Sequence, residues 1–192
     1  LDVLVREEDF ARAGDLLYRD GFVELKNIRE PHKYLYKRFD CGEEVIAVHL
    51  HSRVFWGATF VNPEAIWARV DGQVFDDVVF PLSAEDCLLT TLAHSFYENS
   101  AITLFDLCVV KQTLSNREID WEYLKNTASD NKWEDGFCLS LLAYSRLNQA
   151  VFGDNLFPVD VIVKARQTLG QRFLLRGVAK RLERAEPTMP FY

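Results

Sequence analysis

The chain has 192 residues, of which 48% are hydrophobic and 13% aromatic, and its formal net charge is −7. This composition excludes a disordered protein, and the negative charge argues against general nucleic-acid binding, because that function needs a positive field to displace counterions. No stretch approaches the roughly 20 apolar residues of a membrane helix, and the N-terminus lacks the basic-then-apolar pattern of a secretory signal. We therefore expect a cytoplasmic protein with no membrane partner.

A strand followed by an amphipathic helix is predicted at the start of the chain. The run Leu1–Val5 is apolar apart from one acid, and Phe10, Ala13 and Leu17 then recur at helical spacing. Acidic residues crowd the first turn of this helix, and Gly21 supplies its stop signal.

Three strands are predicted next. Residues 22–27 and 34–40 have the composition of strands, and the stretch CGEE after them has that of a turn. Residues 44–55 form the clearest strand, because apolar and polar side chains alternate along most of its length.

From Pro81 onward, the period of the apolar residues changes from two to 3.6, and Ser83 and Asp86 have the spacing of a helix capping box. The sequence thus predicts an α+β fold. Its N-terminal α/β domain, residues 1–75, has a mixed sheet with a flanking helix. Residues 76–192 form a C-terminal helical bundle.

The strand predicted in residues 44–55 has two different faces. Alternation places Ile46, Val48 and Leu50 on the core side and His49, His51 and Arg53 on the other. Two histidines on one face can bind zinc, although no third ligand follows at informative spacing. A zinc site is therefore one alternative for this polar face.

Asp2 places a carboxylate inside the opening apolar strand. A strand with acids at i and i+2 points both carboxylates the same way, roughly 7 Å apart, where they can hold hard cations. The partner of Asp2 in such a pair would immediately precede Leu1. Metals held in this way bridge phosphate oxygens in phosphoryl and nucleotidyl transfer. The alternative is that Asp2 only caps a frayed terminus.

His94 and Asp106 lie on consecutive predicted helices, both in apolar surroundings. They can meet as a buried pair in which the carboxylate fixes the imidazole tautomer. The alternative is a structural hydrogen bond that holds the two helices together.

Other charged residues and the cysteines have simpler interpretations. Asp76 and Asp77 are adjacent, so a strand would point them to opposite faces, and a solvated turn is expected. The widely spaced cysteines predict reduced core thiols rather than a zinc or disulfide site. A basic stripe at i+4 spacing indicates either a solvated helix surface or a phosphate or RNA contact. It consists of Arg172, Arg176, Lys180 and Arg184.

The order of these features resembles a family of uncharacterised bacterial and archaeal nucleotidyltransferases related to the polymerase-beta superfamily. The matching stretches are LDVLV, the helix ending in RDGF, the strand VIAVHLHSRVF, and the helical LSAEDCLLTTLAHSFYENSAITLFDLCVV. In that family the opening strand carries two acids separated by one hydrophobic residue, and a later strand carries acid-hydrophobic-His. A helical part carries Glu-Asp-x-Leu-Leu, then a His and an Asp-Leu pair. The resemblance covers residues 1–153.

The resemblance implies Mg²⁺ as cofactor, an NTP as substrate and an unknown protein or RNA acceptor. Asp2 corresponds to the second metal-binding acid and His51 to the strand histidine, while His49 stands where a third acid is usual. These three residues are the catalytic candidates. The substrate-binding candidates are Arg53, His94 and Asp106.

Two functions follow from the resemblance. The first is an enzyme that transfers a nucleoside monophosphate from NTP to an acceptor, with Asp2 holding Mg²⁺. The second is a binding module that keeps the fold without the chemistry, because the imidazole of His49 suits Mg²⁺ poorly. The first acid and a Gly-Ser turn for the triphosphate are expected before Leu1. We therefore expect the 192-residue chain by itself to bind Mg²⁺ and NTP weakly and to transfer nucleotides slowly or not at all.

Overall fold

The computed structural model describes residues 1–25, 30, 32–70 and 79–165. The chain forms two compact units, Leu1–Val70 and Asp71–Tyr192. The domain boundary predicted from the sequence, between residues 75 and 76, lies outside the described residues and stays a prediction.

The first unit contains a mixed four-stranded sheet and one flanking helix. In chain order its elements are β1 (Asp2–Leu4), α1 (Phe10–Arg19), β2 (Val23–Glu24), β3 (Lys33–Asp40) and β4 (Glu43–His51). The strand order is β1-β4-β3-β2. The β1 strand runs parallel to β4, and the other neighbouring pairs are antiparallel. This confirms the predicted mixed sheet.

One face of this sheet packs against α1. The buried side chains of Tyr36, Val48 and Leu50 form a cluster with Phe22, and Phe10, Ala13 and Leu17 of α1 pack on it. Burying an aliphatic side chain of this size contributes about 1.5–3 kcal/mol, which explains why the helical spacing in the sequence identified the packed face correctly. The cluster also includes Val3, which assigns the same face to β1.

The strand predicted over residues 44–55 is shorter in the structure. Regular pairing ends at His51, and the chain bends at Ser52 and Arg53 before the separate hairpin of β5 (Val54–Phe55) and β6 (Thr59–Val61). Ile46, expected in the core, is 40% exposed because it lies nearer the β3–β4 turn, beyond the end of the cluster at Val48.

A short helix follows the hairpin. The helix α2 (Pro63–Arg69) begins with proline at its first position, and the Asn62 side chain accepts a hydrogen bond from the Glu64 amide at its N-terminus. The cap is local, so the stretch NPE contained the signal for this helix.

The second unit is helical in the described residues. Its elements are α3 (Ala84–Ala93), which continues as one π-helical turn (His94–Glu98), α4 (Leu104–Asn116), α5 (Trp121–Asp130), α6 (Glu134–Phe152) and α7 (Val159–Lys164). The α+β fold with a helical C-terminal part is therefore confirmed. None of the helices described is both long enough and apolar enough to cross a bilayer.

The N-cap half of the capping box predicted at the start of α3 is present. The Ser83 hydroxyl accepts a hydrogen bond from the Asp86 amide and donates one to the Asp86 carboxylate. Asp86 is fully buried, and its second carboxylate oxygen accepts a hydrogen bond of 2.8 Å from Tyr123 on α5. The cap therefore also links two helices.

The interpretation of the cysteines as core thiols was wrong for two of them. All four are free, but Cys41 and Cys108 are exposed, Cys87 is partly buried and only Cys138 is buried. Cys108 lies on the exposed side of α4. The apolar run in that helix misled the prediction, because an apolar composition does not show that every face of a helix is covered. Asp76, Asp77 and the basic stripe of four residues beyond residue 171 lie outside the described residues.

Candidate functional site

Asp2, His49 and His51 lie together on the face of the sheet opposite α1. The parallel register sets Asp2 against His49, Val3 against Leu50 and Leu4 against His51. Because Val3 and Leu50 point into the core under α1, alternation directs Asp2 and the two histidines to the other face. The structure thus brings together the three residues that the sequence marked as catalytic candidates.

The three side chains are joined through one oxygen atom. Asp2 Oδ1 lies 3.2 Å from His49 Nδ1 and 3.2 Å from His51 Nε2. An ionised carboxylate only accepts hydrogen bonds, so both ring nitrogens donate to it when they carry the proton. We call these three residues the Asp2 cluster.

Exposure decreases across the Asp2 cluster. The side chain of Asp2 is 71% exposed, that of His49 38% and that of His51 11%. The cluster is therefore open to solvent on the side of Asp2 and closed around His51, as a site would be that takes a ligand from one direction.

The cluster favours an ionised acid beside a neutral imidazole. The hydrogen bond from His51 lowers the pKa of Asp2 to about 2, although partial burial opposes this shift; at the acidic pH where Asp2 titrates, both histidines are protonated and their attraction adds to it. Burial lowers the pKa of His49, with the charge of Lys33 acting in the same direction and Asp2 opposing. At neutral pH, Asp2 is therefore a carboxylate and His49 an uncharged imidazole, which are the forms that bind metal ions.

Lys33 is a charged residue beside the site that the sequence analysis missed. It is 5% exposed, and β3 pairs it with His51. Lys33 lies two residues before Leu35 in the sequence, and Leu35 pairs with His49. Because residues two apart on a strand share a face, this spacing could have placed Lys33 on the face of the histidines. It was overlooked because the predicted strand began at residue 34.

Arg53 lies two residues beyond the Asp2 cluster, after β4 has ended. Its guanidinium donates a hydrogen bond of 2.6 Å to the Glu7 carboxylate, and this contact lowers the pKa of Glu7. Both side chains are substantially exposed, 40% for Arg53 and 59% for Glu7. A phosphate bound by Arg53 would compete with Glu7, and the substrate-binding role of Arg53 stays a prediction.

His94 and Asp106 lie in the helical unit and have contacts close to them in sequence. His94 is 3.7 Å from the Glu98 carboxylate and 3.3 Å from the Asn99 side-chain amide. Asp106 closes the capping box of α4, where its carboxylate accepts hydrogen bonds from the Thr103 amide and hydroxyl. Both are half-buried rather than buried. The capping spacing Thr103-x-x-Asp106 explains Asp106 without a functional role, and the proposed His94–Asp106 pair stays a prediction.

The donor atoms of the Asp2 cluster can hold a cation. One candidate ligand atom from each of the three residues lies within 4.8 Å of the other two, and the described residues contain no other such group of His, Cys, Asp or Glu. The donor set does not fit Mg²⁺, because that ion prefers near-octahedral oxygen coordination and two of the three donors here are imidazole nitrogens.

The profile of an uncharacterised nucleotidyltransferase family matches residues 1–148, which include the whole first unit and the helices through most of α6. No curated protein and no solved structure matches the chain.

Proposed function

Since the chain belongs to the uncharacterised nucleotidyltransferase family, we propose that it transfers a nucleoside monophosphate from an NTP to a hydroxyl group of an acceptor. In this reaction the acceptor oxygen forms a bond to the α-phosphorus. The bond from that phosphorus to the bridging oxygen of the β-phosphate breaks, pyrophosphate leaves, and the hydroxyl proton passes to water. A cytoplasmic location, where NTPs are abundant, belongs to the same proposal.

The observation that carries this proposal is the convergence of Asp2, His49 and His51 on one open face of the sheet. The family is one of nucleotidyltransferases, and such enzymes depend on a site that neutralises the charge of the triphosphate. The Asp2 cluster offers three donors that can hold a divalent cation there. A bound cation supplies electrostatic neutralisation of phosphate oxygens.

The residues of the chain itself would position the reactants. The hydrogen bonds from His49 and His51 orient the Asp2 carboxylate and keep it ionised. His51 is closed in by its surroundings and fixes the inner end of the cluster, while the more exposed Asp2 and His49 face the nucleotide. Lys33 adds positive charge on the same side of the sheet.

A second candidate function is a binding module that keeps the fold without turnover. The observation in its favour is that the cluster contains one carboxylate and two imidazoles, which does not suit the Mg²⁺ expected from the resemblance. Such a module would bind a nucleotide or another ligand at the cluster and release it unchanged.

The test combines nucleotide binding with transfer. The 192-residue chain and a form that includes any residues encoded before Leu1 are both titrated calorimetrically with each NTP and incubated with α-labelled NTP and a cell extract, with Mg²⁺, Mn²⁺ or Zn²⁺ as the added cation. The variant is Asp2→Asn, and the control is Asp15→Asn, which changes an exposed acid on α1. Incorporation of label that Asp2→Asn abolishes and the control preserves supports the enzyme. NTP binding that depends on Asp2, without incorporation, supports the module. NTP binding that is unchanged in Asp2→Asn overturns both functions for this cluster.

A further inference from the structure

We propose that Asp2, His49 and His51 form a three-ligand site for Zn²⁺ or a similar borderline divalent ion, and that this site discriminates against Mg²⁺. The proposal deepens the proposed function, on whose site it rests, by naming the class of cation. It concerns binding of the ion and is tested without nucleotide.

The first argument is the separation of the donor atoms. A tetrahedral Zn²⁺ site with bonds of about 2.0 to 2.1 Å places its ligand atoms about 3.3 Å from each other. The two distances from Asp2 Oδ1, to His49 Nδ1 and to His51 Nε2, are both 3.2 Å. Two sides of the ligand triangle therefore already have the length that zinc requires.

The third side of the triangle also permits binding. The candidate ligand atoms of the three residues all lie within 4.8 Å of one another, and the two imidazole rings are inclined by 68° with centroids 6.3 Å apart. Rotation of the more exposed His49 ring about its side-chain torsions shortens this side, while the nearly buried His51 ring stays in place. Binding would replace the two hydrogen bonds to Asp2 with bonds to the ion.

The second argument is the chemistry of the donors. Two imidazole nitrogens and one carboxylate oxygen form a set that zinc enzymes use in catalytic sites, where a fourth position is left for water or substrate. The same set offers Mg²⁺ oxygen ligands from one residue only, the carboxylate of Asp2. Mg²⁺ would therefore keep most of its bound water and bind weakly. The 71% exposure of Asp2 leaves space for the fourth ligand.

The third argument is the rigidity of the backbone that carries the ligands. The His49 amide donates to the Leu1 carbonyl at 2.8 Å, and the Val5 amide donates to the His51 carbonyl at 2.8 Å. These bonds lie on both sides of Asp2 along β1 and fix the register between the two strands. The positions of the three Cα atoms are thus set by the sheet, and only side-chain rotation remains for binding.

The experiment is a comparison of ions on the same chain. The 192-residue chain is stripped with a chelator and titrated with Zn²⁺ and with Mg²⁺ by calorimetry, and with Co²⁺ by visible absorption, because tetrahedral Co²⁺ absorbs much more strongly than the hydrated ion. Cys41 and Cys108 are exposed thiols, so all titrations use a C41S/C108S background. We expect one Zn²⁺ per chain, a tetrahedral Co²⁺ spectrum, and Mg²⁺ affinity lower by roughly a hundredfold or more.

Matched variants locate the site. His49→Asn and Asp2→Asn should each weaken Zn²⁺ binding at least about tenfold and abolish the Co²⁺ bands. Asp15→Asn should leave both unchanged, because Asp15 is an exposed acid on α1 outside the cluster. In the C41S/C108S background with Asp2, His49 and His51 unchanged, Zn²⁺ should also shift the NMR signals of the His49 and His51 rings, which keeps the test valid if a cluster variant fails to fold.

Three results would overturn the proposal: no Zn²⁺ binding in the C41S/C108S background, Zn²⁺ binding with no shift of the two ring signals, or Mg²⁺ binding as tight as that of Zn²⁺. Zn²⁺ binding without nucleotide transfer supports this site and counts against the enzymatic function alone. Nucleotide transfer with Mg²⁺ by a chain that does not bind Zn²⁺ would support the enzymatic function and overturn the zinc site. Failure of the zinc site can thus be distinguished from failure of the proposed function.

Discussion

The buried hydrogen bond between Ser95 and Tyr144 leads to a prediction that depends on which partner is removed. Both residues are fully buried, with 0% exposure, and their hydroxyl oxygens are 2.7 Å apart. The Ser95 hydroxyl donates to the Thr91 carbonyl at 3.0 Å, so the Tyr144 hydroxyl is the donor to Ser95.

Removing one hydroxyl is therefore not equivalent to removing the other. Tyr144→Phe leaves Ser95 with its own acceptor, so the variant loses about 1 kcal/mol, the net value of one hydrogen bond. Ser95→Ala leaves the phenol of Tyr144 buried without this acceptor, and such a group costs about 1–3 kcal/mol, so we expect about 2 kcal/mol. The double variant should cost less than the sum, by about 1 kcal/mol, because it removes the group that was left unsatisfied.

Urea unfolding followed by circular dichroism measures all four proteins of this cycle. A loss of about 2 kcal/mol lowers the unfolding midpoint by roughly 1 M urea at an m-value of about 2 kcal/mol/M. The reasoning is refuted if Ser95→Ala is no more destabilising than Tyr144→Phe, or if the two losses add without coupling.

Three further predictions concern the helical unit. Gly136→Ala should destabilise the protein by about 1–3 kcal/mol in urea unfolding, although alanine has the better helix propensity. The added Cβ would overlap the Tyr97 hydroxyl and would lie only 3.0 Å from Cζ of the Tyr97 ring. A stabilised variant would contradict this prediction. Asp120→Ala should cost about 1 kcal/mol by the same measurement, since the Asp120 carboxylate caps α5 through the Tyr123 amide at 2.9 Å, and an unchanged midpoint would contradict the cap. Burial raises the pKa of Tyr144 above its ordinary value of 10.0, so above pH 10 the unfolded chain releases this proton while the folded chain retains it. The free energy of unfolding should therefore fall between pH 9 and 11 more steeply in the unsubstituted protein than in Tyr144→Phe. Equal slopes in the two proteins would show that Tyr144 does not contribute.

The sequence predicted those parts of the fold that depend on local repetition. Alternation along β4 identified the face that carries Val48 and Leu50, and the helical spacing of Phe10, Ala13 and Leu17 identified the side of α1 that covers it. Both patterns have a direct physical cause, because burial of apolar area stabilises the fold wherever one face of an element is covered.

The parts that the sequence analysis missed depend on where an element ends or what covers it. The bend at Ser52 and Arg53 ends a strand that alternation alone predicts to continue to Phe55. Cys108 was predicted in the core and is exposed, because the apolar composition of a helix does not show which of its faces packs against a neighbour. The helix α2 was missed despite its local cap, because seven residues are too few to show a period clearly.

For the site, spacing along the chain supplied two ligands and not the third. His49 and His51 were recognisable as a pair on one strand face, but a zinc site was not favoured because no third ligand followed them. Asp2 precedes His49 by 47 residues and His51 by 49, and it reaches them only through the parallel pairing of β1 with β4. The resemblance to a family gave the association of these residues, and the register of the sheet shows its geometric basis.

The location of Asp2 on an edge strand links ligand occupancy to the local opening of the protein. In the described part of the sheet, β1 has one neighbour, β4, and contains three residues. An edge strand opens more readily than the interior strands β4 and β3, and each opening separates Asp2 from both histidines. An ion held by all three residues would bind only the closed form and would slow hydrogen exchange at the Val5 amide, which is bonded to the His51 carbonyl. Proteolysis at β1 would slow for the same reason, so the resistance of this strand to cleavage would increase with the concentration of the ion.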